Sequence, residues 1–197
     1  MGACAVRSIR EVRVYCPTAE HRVQFCETWE RALAIDFRPA ESVEDAVRNT
    51  DVVLCATNST RPVLTGRLLE LGMHIGAIRL QEIGADALAR ADVVVCHSAS
   101  EHVTHQLVAA VDTPEVRSDR GADADRADRL RGLPELAGLL AGRVQGRTSR
   151  EQITCFLNNY GLGIQFAAVG HVLLDAAKAA GIGRELPTEW FTESVHP

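Results

Sequence analysis

Two similar stretches, EDAVRNTDVVLCA at residues 44–56 and ADALARADVVVCH at residues 85–97, decide the fold class. Each predicts a short helix followed by a strand of consecutive apolar residues that begins at an aspartate. Strands of continuous valine and leucine, without polar alternation, are typical of parallel sheets that are covered on both faces. Strands that alternate with helices along the chain indicate a doubly wound parallel sheet with right-handed crossovers.

The segments around these two stretches follow the same alternation of strand and helix. Three further short strands are predicted at EVRVYC (11–16), AIDFRPA (34–40) and MHIGAI (73–78). Ser42, with Asp45 three residues later, predicts a capping box at the start of the helix before DVVLC. The sequence therefore predicts at least five strands, most of them connected through short helices.

The C-terminal part of the chain predicts one long helix. Thr148 and Glu151 have the spacing of a capping pair, and apolar side chains recur on one helical face from Ile153 to Val172. Gly181 and Gly183 end this pattern. We therefore expect a continuous helix from residue 148 to these glycines.

The composition is that of one soluble globular domain. The chain has 197 residues, 46% of them hydrophobic and 24% charged, with a formal net charge of -5. It has no basic block, no apolar run of membrane-spanning length and no signal-peptide pattern, so we expect a cytoplasmic protein without nucleic-acid or membrane partners. The cysteines form no CxxC pair, so we interpret them as structural and predict no metal site.

Polar residues follow the buried strand DVVLC. Thr57, Asn58 and Ser59 come shortly after its carboxyl end, which is the edge where open parallel sheets bind ligands. Hydroxyl and amide groups at this edge can bond the phosphate or ribose of a cofactor. The alternative is ordinary turn chemistry, because asparagine and serine are also common in loops.

Several stretches, taken in order, resemble the ornithine cyclodeaminase/mu-crystallin family. They are IREVRVYCPTAEHR (9–22), ATNSTRPVLTG (56–66), ALARADVVV (87–95), LAGRVQGRTSREQIT (140–154) and GLGIQ (161–165). The resemblance implies a Rossmann domain that binds NAD(P)(H) and a first domain, made partly from both chain ends, that binds substrate and builds the dimer. The activities it implies are cyclodeaminase and imine or amino-acid dehydrogenase, and mu-crystallin-like members bind small ligands.

The chain departs from the family pattern in two places. By the resemblance, the first Rossmann strand and its GxGxxG/A loop would lie upstream of this chain, so we expect an N-terminally truncated member. Without that strand, VRVYC and VVLCA would have to pair directly or leave backbone groups unpaired. The turn after MHIGAI also lacks the aspartate that the resemblance implies for cyclodeaminases. We interpret the nearby Glu82 and Asp86 as first-turn helix charges.

The resemblance also implies further cofactor contacts. Thr18 and Arg22 follow the strand whose end contacts the adenine ribose in the family. The turn Cys16-Pro17-Thr18 contains no acid that could bind the ribose hydroxyls of NAD. These two residues can meet a 2′-phosphate, which favours NADP(H) over NAD(H). For Arg22 the alternative is a solvated helix residue. Asn158 and Gly161 fall where the family's last helix passes the nicotinamide.

Together these observations predict an α/β protein with an incomplete Rossmann-like, doubly wound parallel sheet and a long C-terminal helix. We expect a partial NAD(P)-binding domain over residues 1–112. A charged linker is expected over 113–132, and a helical segment that returns to the substrate domain over 133–197.

The expected function is that of a truncated NAD(P)-dependent amino- or imino-acid oxidoreductase or cyclodeaminase, not catalytic as this chain alone. A non-catalytic, mu-crystallin-like ligand-binding or interaction module is the alternative, and a gene remnant that does not fold stably is a third reading. The expected ligand is a small amino or imino acid, and a homodimer is one possible assembly.

Overall fold

The computed structural model describes residues 2–59, 61–99, 132–158 and 163–190. The strands in these ranges are β1 (Glu11–Val14), β2 (Asp36–Pro39), β3 (Val52–Cys55), β4 (His74–Ala77), β5 (Val93–Cys96) and β6 (Thr154–Leu157). The helices are α1 (Gly2–Val6), α2 (Ala19–Leu33), α3 (Val43–Val47), α4 (Ala85–Arg90), α5 (Leu136–Leu140) and α6 (Gly163–Ala180). Short 3-10 turns lie at Gly66–Leu68, Leu80–Glu82 and Thr188–Trp190. The strands predicted from the apolar runs are confirmed as β1 to β5.

The described strands form two parallel sheets. β1 pairs with β2, and a four-stranded sheet has the order β3–β4–β6–β5. All pairs in the larger sheet are parallel, so its four carboxyl ends lie at the same edge. The predicted α/β class with parallel sheets is confirmed.

β1 and β3 each lie at an edge of their own sheet. The sequence leaves two outcomes for these strands, direct pairing or unpaired edges, and the structure contains the second: β1 has β2 as its neighbour and β3 has β4. Arg13 of β1 reaches toward α3 instead, where its Nη1 donates to the carbonyls of Asp45 and Arg48 at 3.0 and 2.7 Å. A side chain therefore links β1 to the segment that leads into β3.

The helix boundaries follow from local chemistry. The Ser42 side chain accepts a hydrogen bond from the Asp45 N–H at 3.0 Å, which confirms the predicted start of α3. Ala34 caps the C-terminal end of α2, with a left-handed φ of 53° and an N–H that donates to the Glu30 carbonyl. This bond satisfies a carbonyl that the end of the helix would otherwise leave open.

The prediction of one continuous helix from residue 148 is wrong in its first part. Residues 154–157 form β6, the strand between β4 and β5. Gln152, rather than a helix-start pair, organises the segment before β6, because its Oε1 accepts from the N–H groups of Thr148 and Ser149 at 2.7 and 3.1 Å. Four-residue periodicity does not separate a short buried strand from a helix, and tertiary pairing with two neighbours decides the outcome. Asn158 accordingly follows a strand.

The core lies on one face of the four-stranded sheet. Cys55, Ala77, Leu157 and Cys96 occupy one register row across all four strands, and all are buried. The buried residues packed together with this row are Val47, Leu64, Leu69, Met73, Ile75, Leu80, Ile83, Ala87, Ile153 and Cys155. On the opposite face the Leu54 side chain is 65% exposed. One sheet face thus carries most of the apolar burial.

The chain divides into two compact units, Met1–Tyr160 and Gly161–Pro197. The second unit contains α6, whose apolar side chains are exposed, among them Phe166, Val169, Val172, Leu173 and Leu174. His171 and Asp175 lie one turn apart on this helix, with 3.5 Å between Nε2 and Oδ2. No helix in the described ranges has the length and apolar content needed to cross a membrane. Most of the charged segment predicted as a linker lies outside the described residues.

The cysteine side chains in the core are held in the thiol form. Burial, with a smaller contribution from Glu82, raises the pKa of Cys55 to about 12. Burial also raises the pKa of Cys155 to about 12, with Cys55 as the second cause. Because the thiolate is the reactive form, both groups are protected chemically as well as sterically. This agrees with the structural role predicted for the cysteines.

We expect that replacing Ile75 by alanine lowers the free energy of unfolding by about 2–5 kcal/mol, because this fully buried β4 side chain leaves a cavity. Ile78, three residues later, is 53% exposed and provides a matched control. For Ile78→Ala we expect a loss of about 1 kcal/mol or less. Urea unfolding of both variants gives the comparison, and equal losses would contradict the assignment of the core face.

We also expect iodoacetamide to alkylate Cys4 and Cys16 in the native chain well before Cys55 and Cys155. The first two are only partly buried, whereas the others are buried thiols with raised pKa values. Peptide mass spectrometry after timed labelling at pH about 8 gives the order. The same labelling in urea is the control, where all four should react. Early native labelling of Cys155 would contradict the described core.

Candidate functional site

Arg22, on the first turns of α2, lies in a small cluster at the carboxyl end of β1. Its Nη1 donates to the Cys16 carbonyl at 3.1 Å and its Nη2 to Glu41 Oε2 at 3.1 Å. The guanidinium also lies 5.9 Å from the centre of the Tyr15 ring. The Arg22 side chain is 11% exposed, so the alternative of a solvated helix residue is wrong.

Thr18 is the residue that precedes α2. Its backbone is extended, with φ −84° and ψ 111°, and its side chain makes no capping hydrogen bond to the helix. The residue is exposed. Thr18 and Arg22, which the sequence analysis singled out together, therefore lie at the same end of α2, four residues apart along the helix.

Thr57, Asn58 and Ser59 form a loop at the carboxyl end of β3, as predicted. Two of the three hydroxyl and amide side chains are used within the loop. Thr57 Oγ1 accepts from the Ser59 N–H at 3.2 Å, and Ser59 Oγ bonds both the carbonyl and the N–H of Arg61 at 2.7 and 3.1 Å. The Asn58 side chain is exposed and makes no hydrogen bond within the described ranges. Of the three side chains, that of Asn58 is the one not used within the loop.

Glu82 fixes the backbone of this loop through hydrogen bonds from the core side. Its fully buried carboxylate accepts hydrogen bonds from the Thr57 N–H and from the Arg79 N–H, the latter at 2.9 Å. Its backbone carbonyl accepts from the N–H groups of Val63 and Leu64 at 2.8 and 3.0 Å. Glu82 thus bonds the backbone at both ends of the β3 loop, at Thr57 and at Val63 and Leu64, and connects them to the turn after β4.

Glu82 does lie in the first turn of a short helix, the 3-10 turn Leu80–Glu82, as the sequence interpretation has it, but it is buried rather than a surface charge. The same interpretation is confirmed for Asp86, which lies in the first turn of α4. The Asp86 carboxylate also accepts from the Gly66 N–H at 2.7 Å. The two acids are therefore both structural acceptors of backbone N–H groups, one inside the core and one at its surface.

Asn158 lies at the same edge of the larger sheet, directly after β6. Its N–H donates to the Ala77 carbonyl at 2.8 Å, and its Oδ1 lies 3.1 Å from Nδ1 of the buried His97. This pair brings together the carboxyl ends of β4, β5 and β6. Gly161, the other residue placed near the nicotinamide by resemblance, lies outside the described residues.

The two histidines beside the strands, His74 and His97, each lie within hydrogen-bond distance of a neighbouring side chain. His97 bonds Asn158, and His74 Nδ1 lies 2.8 Å from Thr154 Oγ1 at the amino end of β4. Burial lowers the pKa of His74, and the nearby charges of Arg147 and Arg7 lower it further. In the part of the chain that the structure describes, no group of three or more histidine, cysteine or acidic side chains is arranged to hold a metal ion.

Sequence reasoning misses Glu41, and it misses the burial of Glu82 and its bond to the Thr57 N–H. For Glu82 a usable signal exists: its neighbours Leu80 and Ile83 are apolar, and both are buried, which is unusual around a helix-surface charge. For Glu41 the signal is its position, since it follows the carboxyl end of β2 and immediately precedes the helix cap Ser42. Neither signal names the bonding partner, which is distant in sequence.

We expect Glu82→Gln to lower the free energy of unfolding by about 1–3 kcal/mol, because a carboxamide offers one oxygen acceptor and leaves one part-buried backbone N–H unpaired. Glu70→Gln is the matched control: Glu70 is exposed and its Oε1 accepts one bond, from the Asn49 N–H at 3.1 Å. We expect the control to change stability by less than about 0.5 kcal/mol. Urea unfolding measures both, and equal small effects would show that Glu82 does not hold the loop.

Comparison with known proteins agrees with this arrangement of strands. The Delta(1)-pyrroline-2-carboxylate reductase of Bacillus cereus is 27% identical over 187 residues, which are 92% of this chain and 54% of that protein. The Thermococcus litoralis Delta(1)-pyrroline-2-carboxylate reductase, solved with NADH and L-proline, superimposes with a TM-score of 0.72 at 22% identity. The alignment covers 93% of this chain and 55% of that one.

An archaeal alanine dehydrogenase dimer solved with bound NAD superimposes with a TM-score of 0.68 at 24% identity, covering 93% of this chain and 54% of its own. The chain therefore spans about half the length of these relatives. The profile of the ornithine cyclodeaminase/mu-crystallin family matches residues 1–181. On the strength of that match, this chain belongs to the ornithine cyclodeaminase/mu-crystallin family.

Proposed function

We propose that the chain forms the dinucleotide-binding part of an NAD(P)-dependent reductase or dehydrogenase that acts on a small amino or imino acid. The observation that carries the proposal is the β3 loop, whose backbone is fixed by the buried Glu82 at the carboxyl edge of a parallel sheet. Ligands of open α/β sheets bind at this edge. Family membership and neighbours solved with NADH or NAD support the same cofactor class.

The residue chemistry at the carboxyl ends fits a dinucleotide. Asn58 offers an exposed amide that can bond ribose or phosphate oxygens, next to Thr57 and Ser59, which bond each other. Thr18 and Arg22 lie at the carboxyl end of β1 and would meet the adenosine end. Asn158 would approach the nicotinamide, since its amide oxygen is already oriented by His97 and its amide nitrogen has hydrogens to donate. Gly161 completes the set expected from the resemblance.

The bound dinucleotide would supply hydride transfer, and the chain would hold and orient it. The Glu82 carboxylate is buried and bonded to two backbone N–H groups, so it is committed to the loop and does not face a ligand. The turn after β4 therefore offers no substitute for the aspartate implied for cyclodeaminases. This favours a reductase or dehydrogenase over a cyclodeaminase.

The substrate class and the assembly are proposed from the relatives. Their names specify pyrroline-2-carboxylate and alanine as substrates, and one of them is solved as a dimer. We propose a small amino or imino acid as the substrate and a homodimer as the working form. Because the chain spans about half the length of these relatives, we propose that these 197 residues bind cofactor without turning over substrate.

A non-catalytic, mu-crystallin-like ligand-binding module is the second candidate. The observation that favours it is the commitment of Glu82 to the loop, which leaves the turn after β4 without an acid that faces a ligand. The two candidates make different predictions for a fusion of this chain to the part of a relative that it does not cover. In that fusion, a reductase would oxidise NADH as it reduces an imino acid, or form NADH as it oxidises an amino acid. A binding module would bind the ligand without turnover.

For the chain itself we expect NADH binding without catalysis. Titration of the chain into NADH, followed by nicotinamide fluorescence, should give saturable binding that Asn58→Ala weakens by about tenfold, the value of one polar contact to a charged or ribose group. No turnover of L-proline, L-alanine or L-ornithine with NAD⁺ or NADP⁺ should exceed the rate without protein. Absence of NADH binding would contradict the proposal.

Gln145→Ala is the control for this experiment. Gln145 is an exposed amide two residues before Arg147, whose Nη2 bonds the Met73 carbonyl at 2.9 Å just before β4 begins. It therefore belongs to the amino side of the sheet, opposite the proposed cofactor edge. We expect unchanged NADH binding in this variant. Equal weakening in Asn58→Ala and Gln145→Ala would show that the effect is not local to the β3 loop.

A further inference from the structure

The Arg22–Glu41 ion pair joins the carboxyl ends of β1 and β2. Arg22 Nη2 lies 3.1 Å from Glu41 Oε2, and the two side chains differ strongly in exposure, with 11% for Arg22 and 83% for Glu41. The segment that carries Glu41 is itself attached to β1, because the Ala40 N–H donates to the Val14 carbonyl at 2.9 Å. A carboxylate from the second strand is thereby brought to the end of the first.

The position of Arg22 does not depend on Glu41. Its other terminal nitrogen bonds the Cys16 carbonyl, and the guanidinium faces the Tyr15 ring. Removing the Glu41 charge would therefore leave the cation in place. Glu41 is also held at its backbone, since its N–H donates to Asp45 Oδ2 at 3.1 Å. Its side chain is the part that can change partner, because an exposed ion pair contributes little stability.

The chemistry of the pair bears on the choice between the two nicotinamide dinucleotides. A carboxylate at the end of the second Rossmann strand accepts hydrogen bonds from the adenosine ribose hydroxyls of NAD, whereas an arginine there accommodates the 2′-phosphate of NADP. The turn after β1 contains no acid. Glu41, which follows β2, instead places a carboxylate at the carboxyl end of β1. Its negative charge would repel a 2′-phosphate bound there.

We propose that Glu41 is the residue that binds the adenosine ribose hydroxyls and selects NAD(H) over NADP(H), with Arg22 neutralised by it. This inference rests on the proposed dinucleotide-binding function. It replaces the preference for NADP(H) expected from the sequence, for which the comparisons give no support. Arg22 becomes a phosphate-binding residue only when the Glu41 charge is removed.

The test compares Glu41→Gln with the unaltered chain in NADH and NADPH titrations at low salt. We expect NADH binding to weaken by about tenfold, because the amide loses the charge-assisted bonds to the ribose. NADPH binding should tighten by about threefold to tenfold, as the freed guanidinium meets the 2′-phosphate. Adding Arg22→Gln to the Glu41→Gln chain should remove the NADPH gain.

Glu44→Gln is the matched control. Glu44 lies three residues further along, in α3, and pairs with Arg67 at 2.6 Å, so its substitution changes the net charge equally and at a different place. We expect it to leave the ratio of NADH to NADPH affinity unchanged. Circular dichroism of each variant confirms folding.

The outcomes separate the inference from the function on which it rests. If the unaltered chain binds NADH and Glu41→Gln leaves the NADH/NADPH ratio unchanged, the role of Glu41 is wrong and the proposed function stands. Equal shifts in Glu41→Gln and Glu44→Gln would likewise overturn the role, since net charge would explain both. If neither dinucleotide binds the unaltered chain or any variant, the proposed function fails and the inference fails with it.

Discussion

The loop at the carboxyl end of β3 depends on the hydrogen bonds accepted by the buried carboxylate of Glu82. This carboxylate accepts from the N–H groups of Thr57 and Arg79, and the backbone of the same residue accepts from the returning end of the loop. A buried carboxylate is costly unless its oxygens are bonded, so the loop and the turn must form together. The two ends of this loop, at Thr57 and at Val63 and Leu64, are thus fixed as the core folds.

The strands show how far the sequence could predict this fold. The runs DVVLC, MHIGAI and DVVVC are predicted and observed, because continuous apolar residues bounded by polar ones are a local signal. The strand at 154–157 is mistaken for helix, since its apolar residues continue into a segment with helical spacing. What makes it a strand is pairing with β5 and β4, whose partner residues lie 61 and 80 positions earlier in the chain, as in Val93–Thr154 and His74–Thr154. Local patterns contain no record of that pairing.

The candidate site divides in the same way. Thr57 to Ser59 can be located from the sequence because they follow a predicted buried strand, and the carboxyl ends of parallel strands form the ligand-binding edge. Asn158 is placed only by the resemblance, and on a helix, whereas the structure has it directly after β6. The partners that determine what those residues can do are long-range: Glu82 for Thr57, His97 for Asn158 and Glu41 for Arg22. Arg22 illustrates the difference, because it reads as a free cation in the sequence and is already paired in the structure. In the role proposed for Glu41, this pairing favours NAD(H), whereas Arg22 considered alone suggests NADP(H).

The separation of β1 and β2 from the larger sheet has a consequence for ligand-linked order. A sheet of two strands is marginal by itself, and this one carries the Arg22–Glu41 end, whereas β4 and β6 are flanked on both sides. Local opening of the small sheet therefore requires less free energy than opening of the large one. A molecule that contacts the small sheet only when it is closed stabilises it by mass action. The adenosine end would thus be the part of the protein whose rigidity responds most to cofactor concentration.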